Sequence, residues 1–222
     1  MITQGQRLDR QSQIIHPEMA GATVIIAGMG MLGSWTAHAL ARAVGRLIVY
    51  DGGDTVEAEN LGNQAYNELH VREPKGASIA SELYGFNVDV IARMFPYRTL
   101  VINGREVSAD VVVSCVDTLE GRAAAARWCQ DHRVPLFIDT RAQGEVAVIC
   151  TAPPDRIVEY LLSMPKAKDV EDRRCGAVGG AYTGMWVASQ VAATINGYYK
   201  GLPVPKMLVW HTGLNQEIKR LQ

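Results

Sequence analysis

Apolar and polar positions along this chain follow two alternating regimes. Short runs rich in β-branched residues are "ATVIIA" at 22–27, "RLIVYD" at 46–51, "ADVVVSCVD" at 109–117 and "VPLFIDT" at 134–140. Such runs, bounded by turn residues, predict buried strands. Between them lie longer stretches with helical spacing, at 31–44, 75–86 and 119–132, and Gly45 stops the first. "VDVIARMF" at 88–95 predicts another strand, and "GEVAVICTA" at 144–152 an antiparallel one. "KMLVWHT" at 206–212 predicts the closing strand. Strand, helix and strand in succession favour a parallel sheet. The expected fold is α/β and Rossmann-like: a mainly parallel central sheet, helices on both faces, and antiparallel strands toward the C-terminus. The whole chain, 1–222, is expected to be a single domain, with an N-terminal arm at 1–20 and a mobile crossover loop at about 160–175.

Composition narrows the function classes. Hydrophobic residues make up 48% of the 222 positions, enough for a sizeable core, and the net charge is −1. No basic excess points to nucleic acid or an anionic membrane, although a nucleotide needs only local positive charge. The cysteines, at 115, 129, 150 and 175, form no C-x-x-C pair, so no structural zinc is expected. The histidines show no ligand spacing. With no signal peptide in view, a reducing cytoplasmic setting is expected. Residues 175–199 carry no charge and are long enough to span a bilayer. They contain Ser189, Gln190 and Asn196, and Gly176, Gly180 and Gly184 form a stripe of small residues. The expectation is a helix buried inside an α/β protein, not one in a membrane.

"GMGMLGS" at 28–34 follows the first strand directly. In G-x-G-x-x-G, Gly28 makes the tight turn, Gly30 lets the backbone approach a phosphate, and Gly33 lets helix and strand pack closely. The phosphate then sits on the positive end of the helix. Asp51 ends the second strand, where a carboxylate can accept hydrogen bonds from ribose hydroxyls. NAD, FAD and ATP all satisfy this arrangement.

The stretches that follow are "DTVEAENLGNQ" at 54–64, "PK" at 74–75 and "DTLEGR" at 117–122, with "RLDRQ" at 7–11 ahead of the first strand. This ordered set resembles the ThiF/MoeB/HesA superfamily, relatives of the ubiquitin-activating enzymes. The resemblance covers nearly the whole chain. It implies ATP-dependent adenylation of the C-terminal carboxylate of a small ubiquitin-like or sulfur-carrier protein ending in glycine. By the same resemblance Asp51 holds the ribose, Asn60 and Lys75 contact the phosphates, and Gln64 joins them. Asp117 orients Mg²⁺, and Arg10 reaches the triphosphate, in many relatives from the partner subunit of a homodimer. Each residue also has a plainer reading. Lys75 is then a solvated helix start, Asp117 a helix cap, Asn60 a turn residue and Arg10 an arm charge.

The chain departs from the family pattern at several positions. The arginine of L-x-R-Q is Asn63, with Arg72 and Arg141 as candidate substitutes. "DGGD" at 51–54 is one residue longer than usual, which makes Asp54 the register rival of Asp51. Met31 stands for a glycine, and Thr118 for the asparagine after the metal aspartate. Some relatives pass the activated protein to a cysteine as a thioester or persulfide. Cys175 resembles such a cysteine, and Arg173, Arg174 and a helix start favour its thiolate. Cys115, Cys129 and Cys150 fall in expected core elements. Two other classes stay open: an NAD-dependent oxidoreductase, and a degenerate member that binds a nucleotide or a partner without catalysis.

Overall fold

The computed structural model describes residues 6, 8–93, 95, 101–102, 105–165 and 179–221. Its strands are β1 (Thr23–Ala27), β2 (Arg46–Tyr50), β3 (Val88–Ile91), β4 (Val101–Ile102), β5 (Arg105–Glu106), β6 (Val111–Ser114), β7 (Leu136–Gln143), β8 (Val146–Ala152), β9 (Met207–His211) and β10 (Gln216–Leu221). The helices are α1 (Pro17–Gly21), α2 (Met31–Leu40), α3 (Lys75–Glu82), α4 (Leu119–Asp131), α5 (Ile157–Ser163) and α6 (Ala181–Tyr199). One sheet runs β10-β9-β8-β7-β6-β1-β2-β3, while β4 and β5 form a small separate hairpin. The pairs among β3, β2, β1, β6 and β7 are parallel, and those from β7 through β10 are antiparallel. This is the expected Rossmann-like arrangement.

Two-residue periodicity splits the strand side chains between two apolar layers. Val24, Ile26, Leu47, Val49, Val111, Val113, Leu136 and Ile138 pack with Leu32 and Leu40 of α2 and Val187, Val191 and Ile195 of α6. Ile25, Ile48, Val112 and Phe137 face the other way, against Ala125, Ala126 and Trp128 of α4 and Tyr160 of α5. In register, Ile25 lies opposite Ile48 on one side and Val112 on the other. Every position of β6 is buried, which explains its continuous valine run.

Within the uncharged C-terminal stretch, α6 is a packing helix. A methyl group at Gly184 would sit 2.5 Å from Trp35 Cδ1, and one at Gly179 2.6 Å from Met31 Cε. Small residues therefore let α6 lie close on α2, and Met31 fills the space that they leave. No described helix is long and apolar enough to cross a membrane.

Some boundaries differ from expectation. The helices expected at 31–44 and 75–86 end at Leu40 and Glu82, and the strand expected at 88–95 ends at Ile91. Residues 157–163, partly assigned to the crossover loop, form α5, whose Ile157 and Tyr160 are buried. The arm is folded near its end: α1 buries Met19, and Asn196 of α6 binds Ile14 O (3.0 Å) and the His16 amide (2.9 Å). The expected closing strand, β9, is followed by β10.

Candidate active site

Strand order reverses at β1, with β2 and β3 on one side and β6 and β7 on the other. Ligands of open α/β sheets bind in the crevice beyond the C-terminal strand ends at such a point. The glycine turn lies there. Gly28 has φ +90°, its amide donates to Tyr50 O (2.9 Å), and a methyl on it would lie 2.9 Å from Cys115 O. Only glycine satisfies both the backbone angle and the space. Gly30 is the N-cap of α2, and a methyl there would meet no atom within 4 Å. A methyl at Gly33 would overlap the Gly28 carbonyl, so helix and turn touch at that point. Gly28 thus makes the tight turn and Gly33 the close contact of helix with turn, while the position of a methyl at Gly30 is open.

A long loop, 52–74, folds against this turn. Bridges between Thr55 and Pro74 and between Val56 and Val71 double it on itself. Its tip is held on α2: Trp35 Nε1 donates to Asn63 O (2.9 Å), and the Ala65 amide donates to Ser34 Oγ (3.0 Å). Tyr66 Oη donates to Met29 O in the glycine turn (2.6 Å). These anchors fix the loop that carries Asn60 and Gln64. Asn60 Oδ1 accepts from the Glu57 amide (3.0 Å) in a capping box, as a turn residue does. The Gln64 Oε1 is buried with no hydrogen-bond partner among the described residues.

Asp51 follows β2 and is buried, whereas Asp54 is exposed. Burial pushes the Asp51 carboxyl above the usual carboxylate range, and Asp54 adds to this. The amides of Gly53 and Gly76, and Lys75, act the other way. Lys75 opens α3, and its ammonium lies 3.7 Å from Asp54, with only 12% of the side chain exposed. A side chain shielded to this extent, paired with Asp54 and acting electrostatically on Asp51, is not that of an ordinary surface lysine.

Asp117 is exposed beyond β6. It is not the cap of α4: Thr118 is, its hydroxyl accepting from the Gly121 amide (3.1 Å). The cap therefore does not engage the Asp117 carboxylate. Among the described residues, no group of three or more His, Cys, Asp or Glu forms a metal cage. A lone carboxylate suits Mg²⁺, which keeps several waters and is held by one or two carboxylates plus substrate phosphates.

Arg122, the last residue of "DTLEGR", is buried against Asp139 and also donates to Thr140 O (2.6 Å). Asp139, fully buried, accepts from Arg141 Nε on its other side (2.6 Å). Arg141, a candidate substitute for the missing family arginine, is thus committed to Asp139 and reaches the Tyr160 hydroxyl (3.4 Å). Arg72 is exposed, with its amide bonded to Val56 O. Asn63 itself donates from Nδ2 to Gly179 O (3.2 Å), tying the loop to the start of α6.

Arg10 lies in an exposed 3₁₀ turn, Asp9–Gln11. The arm that follows is anchored at Asn196, and about 18 Å of helix separates Asn196 from Gly184, which packs beside α2's first turn. Cys175 lies outside the described residues, as do Arg173, Arg174 and Arg7 of "RLDRQ". The other cysteines are core residues. Burial pushes the Cys115 and Cys150 thiols up to about 11, and raises that of Cys129 also. Sequence reasoning missed Tyr66, Trp35, Ser34 and Asp139. The aromatic of "NQAY", two residues past Gln64 in a polar loop, is the one available signal for Tyr66.

The sequence profile of the ThiF family matches residues 16–219. The chain is 29% identical over 163 residues to ubiquitin-like modifier-activating enzyme 5 of Arabidopsis thaliana, covering 60% of this chain and 38% of that protein. To the Bombyx mori protein of the same name it is 27% identical over 165 residues, with 63% and 42% covered. The chain thus spans about two fifths of the length of these curated relatives. Among solved structures it resembles E. coli MccB crystallised with AMPCPP and MccA, with TM-score 0.70, 20% identity, and 99% and 71% of the two chains covered. It also resembles E. coli tRNA N6-threonylcarbamoyladenosine dehydratase, TcdA, with TM-score 0.63, 18% identity, and 89% and 96% covered.

Proposed function

The chain belongs to the ThiF family, and from that premise we propose that it activates a carboxylate with ATP. The substrate is the C-terminal glycine of a small ubiquitin-like or sulfur-carrier protein. The observation that supports this reading is that the glycine turn, buried Asp51 and exposed Asp117 follow the C-terminal ends of the neighbouring strands β1, β2 and β6, with shielded Lys75 paired to Asp54 three residues past Asp51.

The chemistry follows from the charges. A carboxylate oxygen attacks the α-phosphorus, the bond from that phosphorus to the bridging oxygen breaks, and pyrophosphate leaves. An acyl adenylate remains. Two anions must approach, so the protein's task is placement and charge compensation. Asp51 accepts from the ribose hydroxyls. The turn and the first amides of α2 receive phosphate oxygens. Lys75 offsets charge near the α-phosphate, with Asn60 and Gln64 beside it. Asp117 is the carboxylate for Mg²⁺, which when bound neutralises charge on the leaving phosphates. Arg10 serves the second protomer of a homodimer, since its arm is anchored far from the turn of its own chain. Where a transfer step follows, the Cys175 thiolate attacks the carbonyl carbon of the acyl adenylate, AMP leaves and a thioester forms.

Carrier-dependent ATP–pyrophosphate exchange tests the reading. Labelled pyrophosphate enters ATP only when a carrier ending in Gly-Gly is present, and Lys75→Ala and Asp117→Ala abolish the signal. ATP binding without exchange, across a panel of such carriers, selects the non-catalytic alternative instead. Binding of NAD in preference to ATP selects the oxidoreductase.

A further inference from the structure

Tyr66 is buried, yet it is no ordinary core aromatic. Its hydroxyl reaches across the loop to the Met29 carbonyl at 2.6 Å, inside the glycine turn. Its ring stands edge-on to His70, with centroids 6.1 Å apart. His70 in turn lies 3.6 Å from Glu82 of α3, and its Nδ1 accepts from the Asn67 amide (3.3 Å). The phenol is therefore held from behind by a packed aromatic pair. Burial raises its pKa, and Asp51 and Asp54 raise it further, so it stays protonated and can only donate toward Met29.

The peptide joining Met29 to Gly30 is one rigid plane. In a trans peptide the carbonyl and the amide hydrogen point to opposite sides. A carbonyl fixed toward Tyr66 therefore aims the Gly30 N–H away from Tyr66. A methyl at Gly30 would meet no atom within 4 Å, and the next amides, of Met31, Leu32 and Gly33, have no acceptor within their own helix. These are the donors a phosphate would use.

We propose that Tyr66 is a positioning residue for phosphate recognition, orienting the Met29–Gly30 peptide so that the turn's amides face the nucleotide's phosphates. This rests on the ATP reading above and deepens it. The hydroxyl touches neither the adenine nor the ribose in this scheme. Its loss weakens the phosphate-dependent part of binding alone.

The test is isothermal titration of the full chain with ATP, AMPCPP and adenosine, with Mg²⁺ present. Tyr66→Phe keeps the ring and removes only the hydroxyl. ATP and AMPCPP affinity is expected to fall about five- to tenfold, the scale of one neutral hydrogen bond. Adenosine affinity is expected to stay within about twofold of wild type, inside the spread of indirect effects on a distant contact. Tyr66→Leu is expected to show the same phosphate-specific loss together with a lower Tm, and hydrogen exchange at 28–33 rises in both variants. Unchanged ATP affinity in a folded Tyr66→Phe protein overturns the proposal, as does an equal loss for ATP and adenosine. Wild type that binds none of the three ligands overturns the nucleotide reading itself, and the two failures are thereby distinguished.

Discussion

The Lys75 ammonium lies 3.7 Å from the Asp54 carboxylate, the acid three residues past the buried Asp51. Asp54's side chain is 79% exposed, so the pair contributes little to stability. Asp51 is the carboxylate at the strand end, where a ribose would lie. Asp54→Asn is accordingly expected to leave ATP affinity within about threefold, the scale of a screened surface charge. Asp51→Asn is expected to lower it about ten- to a hundredfold, the scale of charge-assisted hydrogen bonds. Equal losses in the two variants would reverse the assignment.

Asp51 also makes a prediction about pH. Its carboxyl titrates above the ordinary value of 3.8, mainly through burial. The folded state then holds that proton more tightly than the unfolded chain does. The favourable contribution is complete below 3.8 and is lost as pH rises through the folded value. Ionised Asp51 is therefore a stability cost at neutral pH. Asp51→Asn is expected to raise Tm at pH 7, with the gain shrinking as pH falls toward 3.8. Paired thermal melts from pH 4 to 8 check the trend, and a variant less stable than wild type throughout contradicts it.

Asp117 and Thr118 are neighbours with separable tasks. Thr118→Ala removes the α4 cap and should cost about 1 kcal/mol, or roughly 2–4 °C in Tm, with pyrophosphate exchange retained. Asp117→Ala should leave Tm unchanged and reduce Mg²⁺-dependent exchange by about a hundredfold or more. Melting and exchange, measured on both variants, must give this crossed pattern. A stability loss in Asp117→Ala would return the residue to a structural role.

Asn63 stands where the family resemblance implies an arginine, and its amide is engaged with Gly179 O. Asn63→Ala should therefore cost about 1 kcal/mol of stability, the usual worth of one hydrogen bond. ATP affinity should change little, since the amide faces the start of α6. Urea denaturation and ATP titration decide this. A large affinity loss at unchanged stability would make Asn63 a phosphate ligand in its own right.

Asp139 is fully buried between Arg122 and Arg141. Removing Arg122 leaves one side of a buried carboxylate unmatched. Arg122→Ala is expected to cost about 3 kcal/mol or more in urea denaturation, with a shared loss of ATP binding as the β6–α4 junction loosens. A variant as stable as wild type would show that Arg141 alone satisfies Asp139.

The sequence by itself determined the parts of this protein that depend on local chemistry. Glycines at 28, 30 and 33 after a buried strand define the turn, because only glycine tolerates φ +90° at the first and a helix in contact with the turn at the last. Unbroken valine and isoleucine runs define the central strands, since both their faces are covered. The position of Asp51 follows from the strand that precedes it. Tertiary structure alone decided what distant segments do to one another. β10 has every position exposed, so no apolar rhythm announces it; pairing with β9 creates it. Thr118 rather than Asp117 caps α4 because the chain's path puts that hydroxyl, not the carboxylate, on the Gly121 amide. The Arg122–Asp139 and Tyr66–Met29 contacts join residues far apart in sequence, through side chains whose types are ordinary in their own segments. Hydrogen bonds between remote groups are specified by how the packed layers meet, and no local pattern encodes that meeting.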